Sequence, residues 1–231
     1  MLFRRYYERY NTAERVCHWL VAVSFFLLVI TGLGLFDKAF LRYFDVLGGG
    51  SKALAFHKAI GVIFLVSSVI LFLKHWRETT HFDADDAGWL KCMGGYLSKD
   101  RDTPPMGKFN TGQKIFGNFV FFGTLGLGIT GLIAWDPLLL NREIVRWCMF
   151  FHSLLFVMMT VFVVIHIYLG TMGNPGTMEG ILYGQVSEVW AMKHAPKWLA
   201  EQEGYRKEWL HPPKREPRAH PDSESEVSPA A

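Results

Sequence analysis

Two histidines, His152 and His166, lie inside one apolar stretch, Trp147–Leu169, which has the length of a membrane-spanning helix of about 20 residues. Ionisable side chains are costly inside a bilayer, so they normally face the interior of a helix bundle and have a function. The spacing of fourteen residues corresponds to about four helical turns, which places both rings on nearly one face and roughly 21 Å apart. This pattern suits two haem groups held one above the other, while two unrelated buried histidines are the alternative on this helix alone.

Three further apolar segments of spanning length precede this one, namely Val16–Phe36, Ala53–Leu73 and Ile115–Trp135. Half of the 231 residues are hydrophobic, which fits an integral membrane protein with polar loops. We predict an all-α fold in which residues 1–207 form one membrane domain, a four-helix transmembrane bundle with an interfacial helix after the last span. Residues 208–231 are rich in proline, serine and charge, and we predict a disordered tail there.

Lysine and arginine residues are distributed unevenly between the two sides of these spans. Eighteen lie in the N-terminal arm, the second loop and the tail, against five in the first and third loops. By the positive-inside rule we expect a multi-pass protein of the bacterial inner membrane with both termini in the cytoplasm. The net charge of +3 then reflects topology and does not indicate a nucleic-acid partner.

The other spans carry histidines at depths that match those of the last span. His18 and His166 lie near the inner ends of spans one and four, whereas His57 and His152 lie near the outer ends of spans two and four. Depth therefore predicts two pairs, His18 with His166 and His57 with His152. Each pair would be a bis-imidazole site between two helices of the bundle.

Three other residues near these histidines have more than one interpretation. His75 lies five turns after His57 and is a rival partner for His166, although the adjacent Lys74 places it at the headgroup level. Arg15 and Lys58 each suit a haem propionate, and each equally suits the membrane surface as a snorkelling side chain.

The segment KFNTGQK leads into the third span and contains Asn110, Gly112 and Gln113. Amide side chains and a free backbone at the membrane edge can hydrogen-bond a quinone carbonyl. An ordinary helix start, capped by Asn110 or Thr111, explains the same residues equally well.

Several other patterns lack the context that chemistry would require. The acidic loop HFDADDAGW has no diagnostic metal spacing, so we interpret its carboxylates as solvated. The run Gly126-Leu-Gly128-Ile-Thr-Gly131 matches a dinucleotide pattern but lies inside a membrane helix, where it indicates close packing. The three cysteines form no CxxCH motif, which excludes haem attachment of the c type.

Longer motifs surround these residues, namely RVCHW, FHKAIGVIF, KFNTGQK, FHSLLFVMMTVFVVIHIYLG and VSEVWAMKHAPKW. With them, residues 10–200 resemble the gamma subunit of membrane-bound formate dehydrogenases, a cytochrome b. The last motif departs from the family at His194-Ala195, where two consecutive histidines are common. The histidine pattern alone is shared more loosely with the cytochrome b subunits of membrane-bound hydrogenases.

The resemblance implies two b haems, the outer ligated by His57 and His152 and the inner by His18 and His166. It also implies menaquinone or ubiquinone near the inner haem, close to Asn110, Gly112 and Gln113. The expected protein partners are an iron–sulfur beta subunit and a catalytic alpha subunit that contains molybdenum or tungsten. The chain would be the quinone-reducing subunit and not the formate-oxidising one. A hydrogenase cytochrome b and a haem-free membrane anchor are the alternatives.

Overall fold

The computed structural model describes residues 5–40, 42–96, 103–138 and 140–203, so the predicted tail lies outside the described residues. In chain order the helices are α1 (Thr12–Phe36), α2 (Tyr43–Val46), α3 (Gly50–Lys74), α4 (Trp76–Thr80), α5 (Ala84–Lys91), α6 (Thr111–Ile133), α7 (Arg142–Tyr168), α8 (Thr177–Tyr183), α9 (Glu188–His194) and α10 (Pro196–Glu203). Helices α1, α3, α6 and α7 are long and apolar enough to cross a membrane, which confirms the four predicted spans. Large apolar side chains such as Val23, Phe26 and Ile30 are exposed on α1, as expected of a helix that contacts lipid.

Polar caps determine where two of the long helices begin. The side chain of Asn11 accepts a hydrogen bond from the Glu14 backbone N–H at 2.9 Å, and the Glu14 carboxylate accepts from the Asn11 N–H at 2.7 Å. Asn110 and Gln113 form the same reciprocal arrangement at the start of α6. Because these caps are polar, the apolar pattern predicts both starts four residues too late.

The four long helices enclose a common interior. Helix α1 packs against α3, α3 against α6 and α6 against α7, and α7 also touches α1. A Cβ atom at Gly126 would lie 2.7 Å from the Leu155 side chain on α7, and one at Gly128 would lie 3.1 Å from Leu65 on α3. The expected role of these glycines in close helix packing is confirmed.

The end of the bundle at which α1 begins and α7 ends is called the inner end here, and the opposite end the outer end. At the inner end, β1 (Tyr6–Glu8) pairs antiparallel with β2 (Gln185–Ser187). This ribbon connects the N-terminal arm to the chain after α7. It was not predictable from the sequence, because the strands are short and far apart in the chain. The predicted interfacial helix is divided into α8, α9 and α10, since Gly184 in the left-handed region ends α8 and Pro196 begins α10.

The ribbon and helices α8–α10 form one unit, called the inner cap. Its apolar core consists of Val186, Trp190, Ala191, Ala195, Trp198 and Leu199. The guanidinium of Arg9 lies over the rings of Trp190 and Trp198, at 4.6 and 5.3 Å from their centres, and Arg9 Nη2 donates to the Lys108 carbonyl. Arg9 therefore connects the inner cap to the segment that precedes α6.

Candidate functional site

The outer pair of histidines comes together from two helices. His57 of α3 and His152 of α7 have ring centres 6.5 Å apart and ring planes inclined at 60°. Nδ1 of His57 lies 2.7 Å from Thr31 Oγ1, and Nδ1 of His152 lies 2.9 Å from Thr130 Oγ1. A threonine hydroxyl on a neighbouring helix therefore orients each ring.

Each of these hydroxyl groups already acts as a donor within its own helix. Thr31 Oγ1 donates to the Leu27 carbonyl at 2.9 Å, and Thr130 Oγ1 donates to the Gly126 carbonyl at 2.7 Å. A hydroxyl has a single proton, so a threonine that donates within its own helix accepts its second hydrogen bond from the histidine Nδ1–H. This arrangement leaves the lone pair on Nε2, the nitrogen that remains available to a metal.

The inner pair is equally close but is held differently. His18 of α1 and His166 of α7 have ring centres 6.2 Å apart and planes inclined at 46°. Phe116 of α6 stacks on the His166 ring at 4.5 Å with an angle of 5°. Nδ1 of His18 is buried and has no hydrogen-bond partner among the described residues.

The spacing of both pairs suits a metal ion between two imidazole rings. Each ligating nitrogen lies about 2 Å from the metal and about 1 Å from its own ring centre, so the ring centres should be roughly 6 Å apart. The observed values of 6.2 and 6.5 Å agree with this estimate. The described part of the chain contains no group of three or more histidine, cysteine or carboxylate side chains that could hold a metal ion.

An apolar layer separates the two pairs. Its centre consists of Phe25 on α1, Phe64 on α3 and Met159 on α7, and Met159 is only 1% exposed. Partly buried residues surround it, namely Val21, Leu28, Val29, Phe119, Val120, Leu127 and Val163. All four long helices contribute to this layer.

A cavity of about 620 Å³ extends from this apolar layer, past the inner histidine pair, towards the inner end of the bundle. Its lining includes His18 and His166 as well as the three predicted quinone-binding residues, Asn110, Gly112 and Gln113. Binding sites for small molecules commonly have volumes of about 300–1,000 Å³. The structure thus brings the inner pair and the segment before α6 into one cavity.

Asn110 and Gln113 both cap α6 and face this cavity. Asn110 Oδ1 accepts from the Gln113 N–H at 2.9 Å, and Gln113 Oε1 accepts from the Asn110 N–H at 3.0 Å. The two interpretations of KFNTGQK are therefore compatible, because capping uses only the oxygen of each amide. The NH₂ groups have no partner among the described residues and are the donors that a quinone carbonyl needs.

A buried ion pair, which the sequence did not predict, fixes this helix start. Asp86 of α5 is 3% exposed and accepts from Lys114 Nζ at 2.8 Å and from Thr111 Oγ1 at 2.8 Å. The Trp89 ring packs on Gly112, where a Cβ would lie 2.8 Å from its edge. The interpretation of this acidic loop as solvated is wrong for Asp86, whose charge is compensated inside the protein.

The prokaryotic cytochrome b561 family matches residues 9–184, a range that contains all four paired histidines. The chain belongs to this family. The formate dehydrogenase cytochrome b556(fdo) subunit of Escherichia coli K12 is 29% identical over 197 residues, which cover 84% of this chain and 92% of that protein. The formate dehydrogenase cytochrome b556 subunit of Haemophilus influenzae is 27% identical over 198 residues, or 84% of this chain and 82% of that protein.

A third relative is the nitrate-inducible formate dehydrogenase cytochrome b556(Fdn) subunit of E. coli K12. It is 26% identical over 192 residues, which cover 81% of this chain and 88% of that protein. The resemblance to the cytochrome b subunits of formate dehydrogenases is therefore confirmed.

Membership of a cytochrome b family implies haem b, and the residues of this cytochrome suit that group. By ring spacing, His57 with His152 and His18 with His166 are the two pairs of side chains that could hold such a group. Five residues have a buried polar side-chain atom without a hydrogen-bond partner among the described residues, namely Arg9, His18, Ser68, His75 and Thr124. All of them except Thr124 line the cavity. A ligand with polar substituents would satisfy such atoms.

The three residues with open interpretations each have a protein partner. Arg15 donates to the Ile181 carbonyl at 3.0 Å and to the Leu182 carbonyl, so it holds the end of α8. Lys58 donates to the Trp135 carbonyl at 3.0 Å and lies over its ring. His75 Nε2 lies 3.5 Å from the Glu14 carboxylate, whereas the ring that faces His166 is that of His18.

Two carboxylates of the acidic loop form a bridge to the inner cap. Lys197 of α10 donates to Asp83 at 2.9 Å and also pairs with Asp85. The hydrogen bond from Lys197 holds the pKa of Asp83 below its usual value. Burial alone would lower the pKa of Lys197, but its hydrogen bonds to Asp85 and Asp83 raise it instead. These carboxylates therefore hold α10 against α5.

The depth of a residue along its helix would have predicted the two threonines that contact His57 and His152. Counting along the helices places Thr31 near the outer end of α1 and Thr130 near the outer end of α6, at the level of His57 and His152. The partner of Asp86 has no comparable signal, because Lys114 is 28 residues away along the chain.

Proposed function

We propose that this chain is the membrane-anchoring di-haem cytochrome b of a formate dehydrogenase complex, and that it passes electrons to quinone at the cytoplasmic face. The observation that carries the proposal is the pair of histidine sites, each built from two helices, with ring centres 6.2 and 6.5 Å apart. His57 and His152 would hold the outer haem, and His18 and His166 the inner one. A haem with two axial histidines carries one electron and has no open position for oxygen chemistry.

The protein contributes orientation and exclusion of water. Thr31 and Thr130 fix the tautomer of the outer histidines, which presents Nε2 to the metal. The layer around Phe25, Phe64 and Met159 keeps the space between the two sites apolar. The sites are therefore rigidly spaced within one bundle.

The cavity next to the inner pair supports quinone binding. The NH₂ groups of Asn110 and Gln113 can donate to a quinone carbonyl, and the close fit of Trp89 on Gly112 keeps this backbone in place. Either menaquinone or ubiquinone would suit these donors, because both present two carbonyl oxygens on a flat ring.

The names of the relatives and the charge distribution support the arrangement in a complex. The three relatives that align with more than four fifths of this chain are subunits of formate dehydrogenases. We therefore expect an iron–sulfur beta subunit at the outer end and a catalytic alpha subunit with molybdenum or tungsten beyond it. The excess of lysine and arginine supports a cytoplasmic location for the inner end and both termini in a bacterial cell.

Haem content of the purified chain tests this function directly. A pyridine-haemochrome assay on wild type, His152→Ala and His166→Ala should give about two haems b per chain, and about one in each variant. His81→Ala is the matched control, because His81 is exposed in a loop and should not affect haem content.

Two results would contradict the proposal. Wild-type protein without haem would leave a haem-free membrane anchor as the interpretation. A single haem in wild type that is lost in only one of the two variants would refute the proposal that His152 and His166 each take part in a separate haem site. The catalytic subunit that copurifies with this chain then identifies the electron donor. If that subunit is a hydrogenase, the donor is hydrogenase and not formate dehydrogenase.

A further inference from the structure

One buried histidine of the inner end has no role in either histidine pair. His75 is 7% exposed and lines the same cavity as His18, Asn110 and Gln113. Its Nε2 lies 3.5 Å from Glu14 Oε1, and its Nδ1 is buried without a partner among the described residues. One ring nitrogen therefore faces a carboxylate, and the other is free to act as a donor or an acceptor.

Three elements hold His75 in this position. The residue directly follows α3, and its backbone N–H donates to the Phe72 carbonyl at 3.1 Å. Its ring packs edge-on against Tyr10, with centres 5.9 Å apart, and against Phe109, with centres 5.2 Å apart. Phe109 immediately precedes Asn110, so the imidazole lies beside the proposed quinone donors.

Glu14 is fixed just as firmly and is the more exposed member of the pair. Its Oε2 accepts from the Asn11 N–H, while its Oε1 lies 3.5 Å from His75 Nε2 and 3.9 Å from Lys108 Nζ. Its side chain is 13% exposed, against 8% for that of His75. The carboxylate is therefore slightly more exposed than the imidazole and lies close enough to it to exchange a proton directly or through one water molecule.

We propose that Glu14 and His75 form the proton path that serves quinone reduction in this cavity, an inference that rests on the proposed function. Conversion of a quinone to a hydroquinone takes up two electrons and two protons. A haem held by His18 and His166 would supply the electrons one at a time, and the protons come from water at the inner end. For each proton, Glu14 protonates His75 Nε2, the imidazolium releases its Nδ1 proton into the cavity, and a quinone oxygen gains the O–H bond. Water at the inner end then protonates Glu14 again, and rotation of the neutral ring restores the Nδ1–H tautomer before the second proton is passed.

The charges around His75 suit a group that releases protons readily. Burial lowers the pKa of His75, and the positive charge of Lys108 lowers it further. The carboxylates of Glu14 and Glu78 act in the opposite direction, and Lys74 adds a smaller lowering effect. The net direction is downward, so the protonated form becomes more abundant only below the ordinary histidine pKa of about 6.5.

Single-turnover oxidation of the reduced cytochrome measures the proposed step. The full chain, in its complex, is reduced anaerobically with one equivalent per haem and mixed with menadione in a stopped-flow instrument while the haem α-band is followed. Two reduced haems supply the two electrons that one quinone needs. In wild type the rate should increase as the pH falls from about 8 to about 5, because proton delivery becomes faster.

His75→Gln should slow this oxidation about 10- to 100-fold and remove its dependence on pH. Glu14→Gln should also slow it, by a smaller factor, because water can still reach His75. Added imidazole should restore part of the rate in His75→Ala, a rescue that a purely structural role would not produce. His81→Gln, which changes an exposed histidine, is the matched control and should match wild type.

Two further readings separate this inference from the proposed function. Haem content and menadione affinity, the latter from quenching of tryptophan fluorescence, should be unchanged in His75→Gln. An unchanged rate and pH profile in this variant would overturn the proton path while the di-haem cytochrome stands. A slower rate with the wild-type pH profile and no imidazole rescue would also overturn it. Wild-type protein without haem would overturn both proposals.

Discussion

The outer and inner histidine pairs have almost the same spacing but different surroundings. At the outer pair, both Nδ1 atoms donate to threonine hydroxyls that are anchored in their own helices. At the inner pair, His18 Nδ1 has no partner among the described residues, His166 stacks on Phe116, and both rings border a cavity. Each ring of the outer pair contacts a threonine hydroxyl, whereas the inner pair adjoins space for a small molecule.

This difference has a direct consequence for electron transfer. A hydrogen bond from Nδ1–H makes an imidazole a more basic ligand, and a more basic ligand stabilises the oxidised metal. The outer haem should therefore have the lower reduction potential, which favours electron flow from the outer to the inner site. The same direction is required if electrons enter at the outer end and leave at the cavity.

The largest expected effect comes from removing one ligand of each pair. His57→Ala and His18→Ala should each lower the haem content from about two to about one per chain. The remaining haem of His57→Ala should still be oxidised by menadione, whereas that of His18→Ala should not. Haemochrome assays and stopped-flow oxidation check this comparison. If both variants lost the same haem, the assignment of the two pairs would be wrong.

The next effect concerns the ion pair that fixes the start of α6. Asp86→Asn leaves Lys114 buried without a countercharge, and breaking such a pair costs about 3–5 kcal/mol. Hydrogen exchange should increase over residues 108–118, and menadione affinity should fall, while the outer haem spectrum stays unchanged. Glu143→Gln is the control, because its pair with Arg146 is exposed and such pairs contribute about 0–1 kcal/mol. Equal effects of the two variants would contradict the structural role of Asp86.

The threonines allow the comparison to be tested without loss of a ligand. Thr31→Val and Thr130→Val keep the side-chain shape but remove the acceptor for histidine Nδ1. We expect the affinity for the outer haem to fall about 10- to 100-fold and its potential to rise towards that of the inner haem. Redox titration of the α-bands measures the change. Thr160→Val is the control, because among the described residues Thr160 donates to the Phe156 carbonyl of its own helix and has no hydrogen bond to a histidine. A similar shift in this variant would contradict the argument.

The sequence predicted those features that follow from hydropathy and helical geometry. Four spans and the depth of each histidine were sufficient to predict that His57 meets His152 and that His18 meets His166. The supporting contacts were not predictable, since β1 and β2 are three residues each and lie far apart in the chain. Nor does any local pattern show that Asp86 is buried against Lys114.

The smallest expected effect concerns the inner cap. Burial lowers the pKa of His194 to about 4, with further lowering by Lys193 and Arg9. In the unfolded cap its pKa returns to about 6.5, so between these values the unfolded form binds a proton that the folded form does not. Stability of the cap should therefore decrease as the pH falls from about 6.5 to about 4, and it should not change above that range.

Hydrogen exchange over residues 185–203 at pH 7, 5.5 and 4.5 measures this loss, after correction for the intrinsic pH dependence of exchange. The loss should be smaller in His194→Gln, which has no titrating group at this position. Asp83 does not interfere, because its pKa lies below the usual value and its pair with Lys197 persists through this range. An identical loss in wild type and His194→Gln would refute the role of His194. A loss of protection at the outer end of α7 over the same range would show that the two ends are not independent.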